Sequence, residues 1–289
     1  MPDAVAPSQL TKVLVCTDES PDSQGAVNAG LVLARLSGCR IVLLQVLQYL
    51  QDYEFQQREG LLLPPQVTFD LAAAREEAVR ARLEDLQTTA AKEGLEMEIR
   101  VHSSAAISTG ILEELEEIRP QLLITGRHGR TGLERLMVGS VAARVIGQSP
   151  VPVLVVPREA ALSFKRLLVA MDGSPYSQAA WEQALLIAKD QGSALIAASV
   201  SQSDRELKTA EEIVEKLEPL AARESVSLEP MVLQGRPFEA IVRLARQKQV
   251  DLLIMGSHGR TGLMRLLMGS VAERVIGQAP CAVLVVRGS

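Results

Sequence analysis

The sequence is short of the residues that most often carry chemistry. Only 3 histidines and 3 cysteines occur in 289 residues, and aromatic side chains make up 3%, with a single Trp. Cys16, Cys39 and Cys281 are odd in number and far apart, so they outline no disulfide framework. They fit a reducing cytoplasm, where each serves as a small buried apolar residue. No H-x-x-x-H or C-x-x-C spacing appears, which removes the common zinc patterns, and no metal-ligand cluster is expected. Apolar runs such as IVLLQVL and VLVV fall far short of the roughly 20 residues that cross a bilayer, so no membrane partner is expected. The opening MPDAVAPSQL has no basic stretch ahead of an apolar core, and a secretory signal is not expected. Charge of one sign is lacking too. The 30 Lys+Arg and 35 Asp+Glu are mixed along the chain, net −5, without the basic stripe that a nucleic-acid-binding face needs.

What is there is a repeat. Residues 121–156 match residues 251–286 without a gap at about 26 of 36 positions. An earlier stretch, 12–46, aligns with 166–200 at only about 12 of 35. Each half alternates short apolar runs with helical patterns: KVLVCT, RIVLLQV, LEMEIRV, QLLIT and VPVLVV, then RLLVAM, ALIAASV, VSLEPMVL, DLLIM and CAVLVV. Strands separated by helices imply right-handed crossovers and a parallel sheet covered on both faces. The expected architecture is therefore α/β: two tandem open five-stranded parallel-sheet domains, residues 1–158 and 159–289, related by a pseudo-twofold. The closing strands VPVLVV and CAVLVV are very apolar, and either pairing them antiparallel or packing the halves together beside them hides both edges. That makes an intramolecular pseudo-dimer, with a homodimer of the chain also open. The cluster Asp18-Glu19-Ser20-Pro21 signals a helix start, and a long helix is expected over about 70–93. The first half also carries about 24 extra residues holding Tyr49, Tyr53 and Phe55, which read as a surface loop rather than a lid.

The most similar segment, GRHGRTGLERLMVGS and its copy GSHGRTGLMRLLMGS, follows the fourth strand of each half. Ligands of parallel α/β sheets bind beyond the carboxyl ends of the strands. Gly126, Gly129, Gly256 and Gly259 let backbone approach a ligand there, while Gly139-Ser140 and Gly269-Ser270 open a further helix whose first amides favour an anion. Ser140 and Ser270 either cap that helix or contact the ligand, and Ser270 stands in capping-box spacing with Glu273. His128 and His258 either donate to a phosphate or ribose oxygen or stabilise the turn. His102, outside the repeat, reads as structural. Asp18 and Asp172, one at the end of each first strand, suit an adenine amino group or a ribose hydroxyl better than a helix cap. A Walker A loop is excluded, because no Lys precedes the hydroxyl residue, and the G-x-G-x-x-G dinucleotide fingerprint does not fit either.

With G-x2-G-x9-G-[ST] in both halves, and with VLVCTDES and LLVAMDGS as opening strands, the chain resembles the universal stress protein (UspA) family in a tandem form. The resemblance covers nearly the whole chain. It implies a cytoplasmic stress-response protein that binds ATP, with Mg2+, between the ends of the first and fourth strands. By that resemblance Asp18 and Asp172, with backbone at Val46 and Val200, recognise adenine and ribose. Thr125, Gly126, His128, Gly129, Gly139, Ser140 and Val141 hold the phosphates in one half; Met255, Gly256, His258, Gly259, Gly269, Ser270 and Val271 do so in the other. No nucleophile–base pair or carboxylate dyad repeats in both halves, so a nucleotide-responsive regulator is expected rather than a dedicated enzyme. A slow ATP-hydrolysing enzyme and a nucleotide-free interaction scaffold are the alternatives. The sites are expected to be unequal. Glu19 adds a carboxylate beside Asp18 where the second half has Gly173, while Arg127, in the place of Ser257, is free to pair with Glu19 or the phosphates.

Overall fold

The computed structural model describes residues 6–48, 65–129, 137–259 and 268–287. In the first half, strands β1 (Lys12–Cys16), β2 (Arg40–Gln48), β3 (Met97–Ser104), β4 (Leu122–Gly126) and β5 (Val153–Val156) alternate with helices α1 (Gln24–Ser37), α2 (Pro65–Lys92), α3 (Ile107–Ile118) and α4 (Ser140–Gln148). The second half runs β6 (Arg166–Met171), α5 (Pro175–Gln191), β7 (Ala194–Ser201), α6 (Asp204–Glu215), α7 (Glu218–Arg223), β8 (Leu228–Gln234), α8 (Pro237–Gln247), β9 (Leu252–Gly256), α9 (Ser270–Gln278) and β10 (Ala282–Val286). The long helix α2 begins at Pro65, earlier than its periodicity indicates, because its first turns are exposed and carry no buried stripe. Tyr49, Tyr53 and Phe55 lie outside the described residues.

The two halves share one ten-stranded sheet in the order β3-β2-β1-β4-β5-β10-β9-β6-β7-β8. Every pairing within a half is parallel. The halves meet where β5 and β10 pair antiparallel, Leu154 opposite Leu284. Those two leucines hold equivalent positions in the repeat, so the pseudo-twofold passes between them. The pairing buries both VLVV stretches, which in a separated half would be a long apolar edge. The outer edges need no such cover. β3 carries Glu98 and Arg100, and β8 carries Pro230, which has no N–H to offer a further strand.

Continuous apolar strands work here because both faces of the sheet are covered. Val13 and Val15 of β1 pack with Ala26, Val27 and Leu33 of α1 and with Val79 and Leu83 of α2. Leu14 and Cys16 point the other way, among Ile111 and Leu115 of α3 and Val145 of α4. The second half repeats the division, with Trp181 of α5 against one face and Ile241 of α8 with Val275 of α9 against the other. Each apolar layer runs on through the seam. Among the described residues no helix is long and apolar enough to cross a membrane.

Candidate functional site

In each half the strand order reverses between the first strand and the fourth, β1/β4 and β6/β9, and the helices that follow them leave to opposite faces. That divergence opens a crevice at the carboxyl ends of the two strands. In the second half the crevice is a cleft of about 340 Å³. Asp172, Val200, Met255, Gly256, His258, Gly259, Gly269, Ser270 and Val271, nine residues expected at a ligand, all line it.

Asp172 follows β6 directly. Its Oδ1 accepts the Ser174 N–H at 2.9 Å, and Ser174 is the residue that caps α5, its hydroxyl accepting from the Ser177 N–H at 3.2 Å. The aspartate is thus not the cap. Its Oδ2 faces Gly259, where a Cβ would come within 2.8 Å of it, so a larger residue there would have to displace the carboxylate. The first half has the same design: Asp18 Oδ1 accepts the Ser20 N–H at 3.0 Å, and a Cβ on Gly129 would lie 3.1 Å from Oδ2. Its helix, however, starts a turn later than the Asp-Glu-Ser-Pro cluster signals. Ser20 Oγ accepts the Ser23 N–H, which leaves residues 21–23 a turn and α1 to begin at Gln24.

The glycine loops close on backbone. Gly269 N–H donates to Ser257 O at 2.9 Å, and Gly139 N–H to Arg127 O at 3.0 Å. Both glycines are then the N-caps of α9 and α4, with no side-chain bond to the helix. Ser140 and Ser270 are first helical residues rather than caps, and Glu273 closes no capping box. Without a capping side chain, the amides of Ser270, Val271 and Ala272 precede the first helical bond, from Glu273 N–H to Gly269 O, and all three residues line the cleft. Such a helix start favours an anion. The opposite end of the cleft is an apolar slot made by Ala198 and Val200 of β7, Pro237 and Ile241 of α8, and Met255 of β9, with Asp172 and Glu206 on its wall. Gln202, Glu206, Pro237 and Ile241 were not anticipated. The signal was available: they sit just past the second and third strands of the half, at the same edge as Val200.

In the first half Asp18, Thr125, Gly126, His128, Gly129, Gly139, Ser140 and Val141 take the equivalent places around β1 and β4. Val46 differs in its surroundings. Gly110 of α3 lets the helix approach until Val46 Cγ1 stands 2.7 Å from where a Cβ would be, whereas the second half has Ala240 at that position. His128 Nε2 donates to Met137 O at 2.7 Å, so this histidine ties the loop ends together. His102 is structural as expected, its ring nitrogens 2.9 Å from Glu114 and 3.0 Å from Glu113.

Two expectations for this half are overturned. Glu19 does not stand over the phosphate cradle; it takes a left-handed backbone (φ 60°) and forms a two-pronged pair with Arg82 of α2. Nor does Arg127 join Glu19 or a phosphate position. Its guanidinium crosses the seam to the last carbonyls of α9, donating to Gly277 O at 3.2 Å and to Ala279 O. Burial pushes the Arg127 pKa down, opposed by Cys281 and Asp22. Arg287, following β10, returns the favour at the end of α4, donating to Gln148 O and Ser149 O at 3.3 Å each. Arg130 and Arg260, which follow the second glycine of each repeated segment, lie outside the described residues. Among the described residues no group of three or more His, Cys, Asp or Glu is placed to hold a metal ion.

Fold and site together define a tandem α/β protein with a cleft at a topological switch point. Residues 9–157 and 163–287 each match the universal stress protein family, and the chain belongs to it. It is 35% identical over 140 residues to universal stress protein MJ0531 of Methanocaldococcus jannaschii, covering 43% of this chain and 82% of that one. Universal stress protein Rv2005c of Mycobacterium tuberculosis is 30% identical over 217 residues, 68% of this chain and 72% of that protein. The crystal structure of a universal stress protein from Archaeoglobus fulgidus superposes with a TM-score of 0.75 at 23% identity, covering 96% of this chain and 99% of its own.

Proposed function

We infer that the protein binds ATP, entering with Mg2+, and works as a nucleotide-responsive regulator of a stress response. The observation that carries this reading is the cleft of the second half. Three unbonded helix amides and a glycine loop face its phosphate end, and an apolar slot with the Asp172 carboxylate forms its base and sugar end. A carboxylate accepts from ribose hydroxyls or an exocyclic amine, and a flat apolar slot suits a purine. With no metal-binding cluster among the described residues, Mg2+ would be held by the phosphates themselves. No nucleophile–base pair repeats in the sequences of both halves, which favours binding and release over a dedicated hydrolytic cycle.

Two measurements test it. Mass spectrometry of the small molecules released on denaturing the purified protein should find an adenine nucleotide. Calorimetric titration with ATP-Mg should show binding that Asp172→Ala weakens about tenfold, equivalent to about 1.4 kcal/mol. A protein that carries no nucleotide and gives no heat with millimolar ATP-Mg removes the reading.

A further inference from the structure

The loop histidines are the same residue in both halves but not in the same condition. His258 is 8% exposed, its ring tilted against Tyr176 at a centroid distance of 5.1 Å. Its Nδ1 lies 3.0 Å from the hydroxyl of Ser257, itself buried. His128 is half-buried, and the two neighbours are replaced: Asp22 occupies the place of Tyr176, and Arg127 the place of Ser257. In both halves a backbone carbonyl stands against the glycine that ends the fourth strand, although Tyr176 lies in α5 and Asp22 in the turn before α1. A Cβ on Gly256 would lie 2.9 Å from Tyr176 O, and one on Gly126 would lie 2.7 Å from Asp22 O. The side chains at the two positions beside the imidazole of His258 are different in the first half. Asp22 offers no ring, and Arg127 has no hydroxyl and sends its guanidinium across the seam.

We propose that Tyr176 and Ser257 are positioning residues that lock His258 in one rotamer and one tautomer, and so make the second cleft the tighter nucleotide site. Resting on the ATP reading above, this assigns the inequality of the two sites to the histidine's neighbours. A serine hydroxyl that donates to Nδ1 leaves the proton on Nε2, the nitrogen with which His128 closes its own loop onto Met137 O. The Tyr176 ring blocks alternative rotamers by contact. With the histidine fixed before a ligand arrives, ordering the Gly256–Gly259 turn costs nothing at the moment of binding. His128 keeps its bond to Met137 O but lacks the ring and the hydroxyl, so less of the ordering of its turn is in place before a ligand arrives.

The test uses the full chain and two readouts. Because the sequence holds only 3 histidines, imidazole 15N spectra resolve each one. His258 should appear as a single Nε2–H tautomer, and Ser257→Ala should make its ring exchange as that of His128 does. By calorimetry Tyr176→Asp should weaken the tighter ATP-Mg phase about fivefold and Tyr176→Phe less than about twofold, the scale of one ring–ring contact. Asp22→Tyr should tighten the weaker phase. Identical tautomer and exchange behaviour for His128 and His258, or a tighter phase unmoved by Tyr176→Asp in a folded protein, overturns the proposal. A wild-type protein with no ATP-Mg heat overturns the ATP reading instead, and the imidazole spectra then judge the locking of His258 alone.

Discussion

Removing residues 1–158 should turn the second half into a homodimer. The seam it leaves behind is self-complementary. In the intact chain Val283, Leu284 and Val285 face Val155, Leu154 and Val153, and the β5 stretch VLVV has the same sequence as that of β10. A second β10 can therefore replace β5 residue for residue, with Leu284 opposite Leu284. The six paired side chains are each at most 5% exposed. Returning about half of each to water costs about 1 kcal/mol apiece, or about 6 kcal/mol from the strands alone. The Arg287 bonds go to backbone carbonyls of α4, and α9 offers the same carbonyls, so both are re-formed in a dimer. The Arg127 bonds are lost, because Ser257 stands in that place. Against this gain stands an association cost of about 4–15 kcal/mol, so the monomer should appear on dilution. Sedimentation velocity of residues 159–289 over a concentration series reaching the millimolar range should show the sedimentation coefficient rise toward that of a dimer. Leu284→Lys, which puts a charge on the dyad, should abolish it. A folded wild-type half that stays monomeric and soluble at the highest concentration would refute the argument that the seam is driven by its apolar strands.

Two further outcomes follow from the seam and the core. Arg127→Ala in the intact chain removes charged hydrogen bonds from the last carbonyls of α9 and should cost about 2 kcal/mol in urea denaturation, with Arg127→Lys recovering only part. Burial pushes Cys16 and Cys281 up to about 12 from an ordinary 9.0. Above pH 9 the unfolded thiols ionise while the native ones do not, so stability falls as pH rises toward 12, by about 1.4 kcal/mol per thiol at pH 10. Cys16→Ala should flatten that alkaline limb relative to its own neutral-pH stability, and native protein at pH 8 should resist thiol reagents.

What the sequence revealed, and what it hid, divides along a physical line. Gly129, Gly259, Asp18 and Asp172 were readable because their places are dictated by local backbone: a strand ends, a turn closes, and a Cβ would strike a carboxylate. The parallel, doubly covered sheet followed from strands separated by helices, and the pairing of β5 with β10 from the need to hide two apolar edges. Arg127 was misread because its partners, Gly277 and Ala279, are some 150 residues away and are backbone carbonyls, which leave no mark in a sequence. Glu19 was misread for a similar reason: its partner Arg82 lies on α2, which follows the extra residues of the first half. Ser140 and Ser270 looked like caps by composition, but the glycine before each already takes the cap geometry and pushes the hydroxyl one residue into the helix.

The single antiparallel pair at Leu154 and Leu284 also reverses the direction of every strand beyond it. The carboxyl ends of β1 and β4 therefore lie along one rim of the sheet, and those of β6 and β9 along the other. The described ends of the two glycine loops, at Gly126 and Gly256, lie on opposite rims. No small molecule touches both, and a protein docked over one loop leaves the other uncovered. The chain is in this sense bivalent: two copies of a partner that reads the loop would be held back to back, about one pseudo-dyad. A partner with two such modules could engage both loops only if its linker spanned from rim to rim.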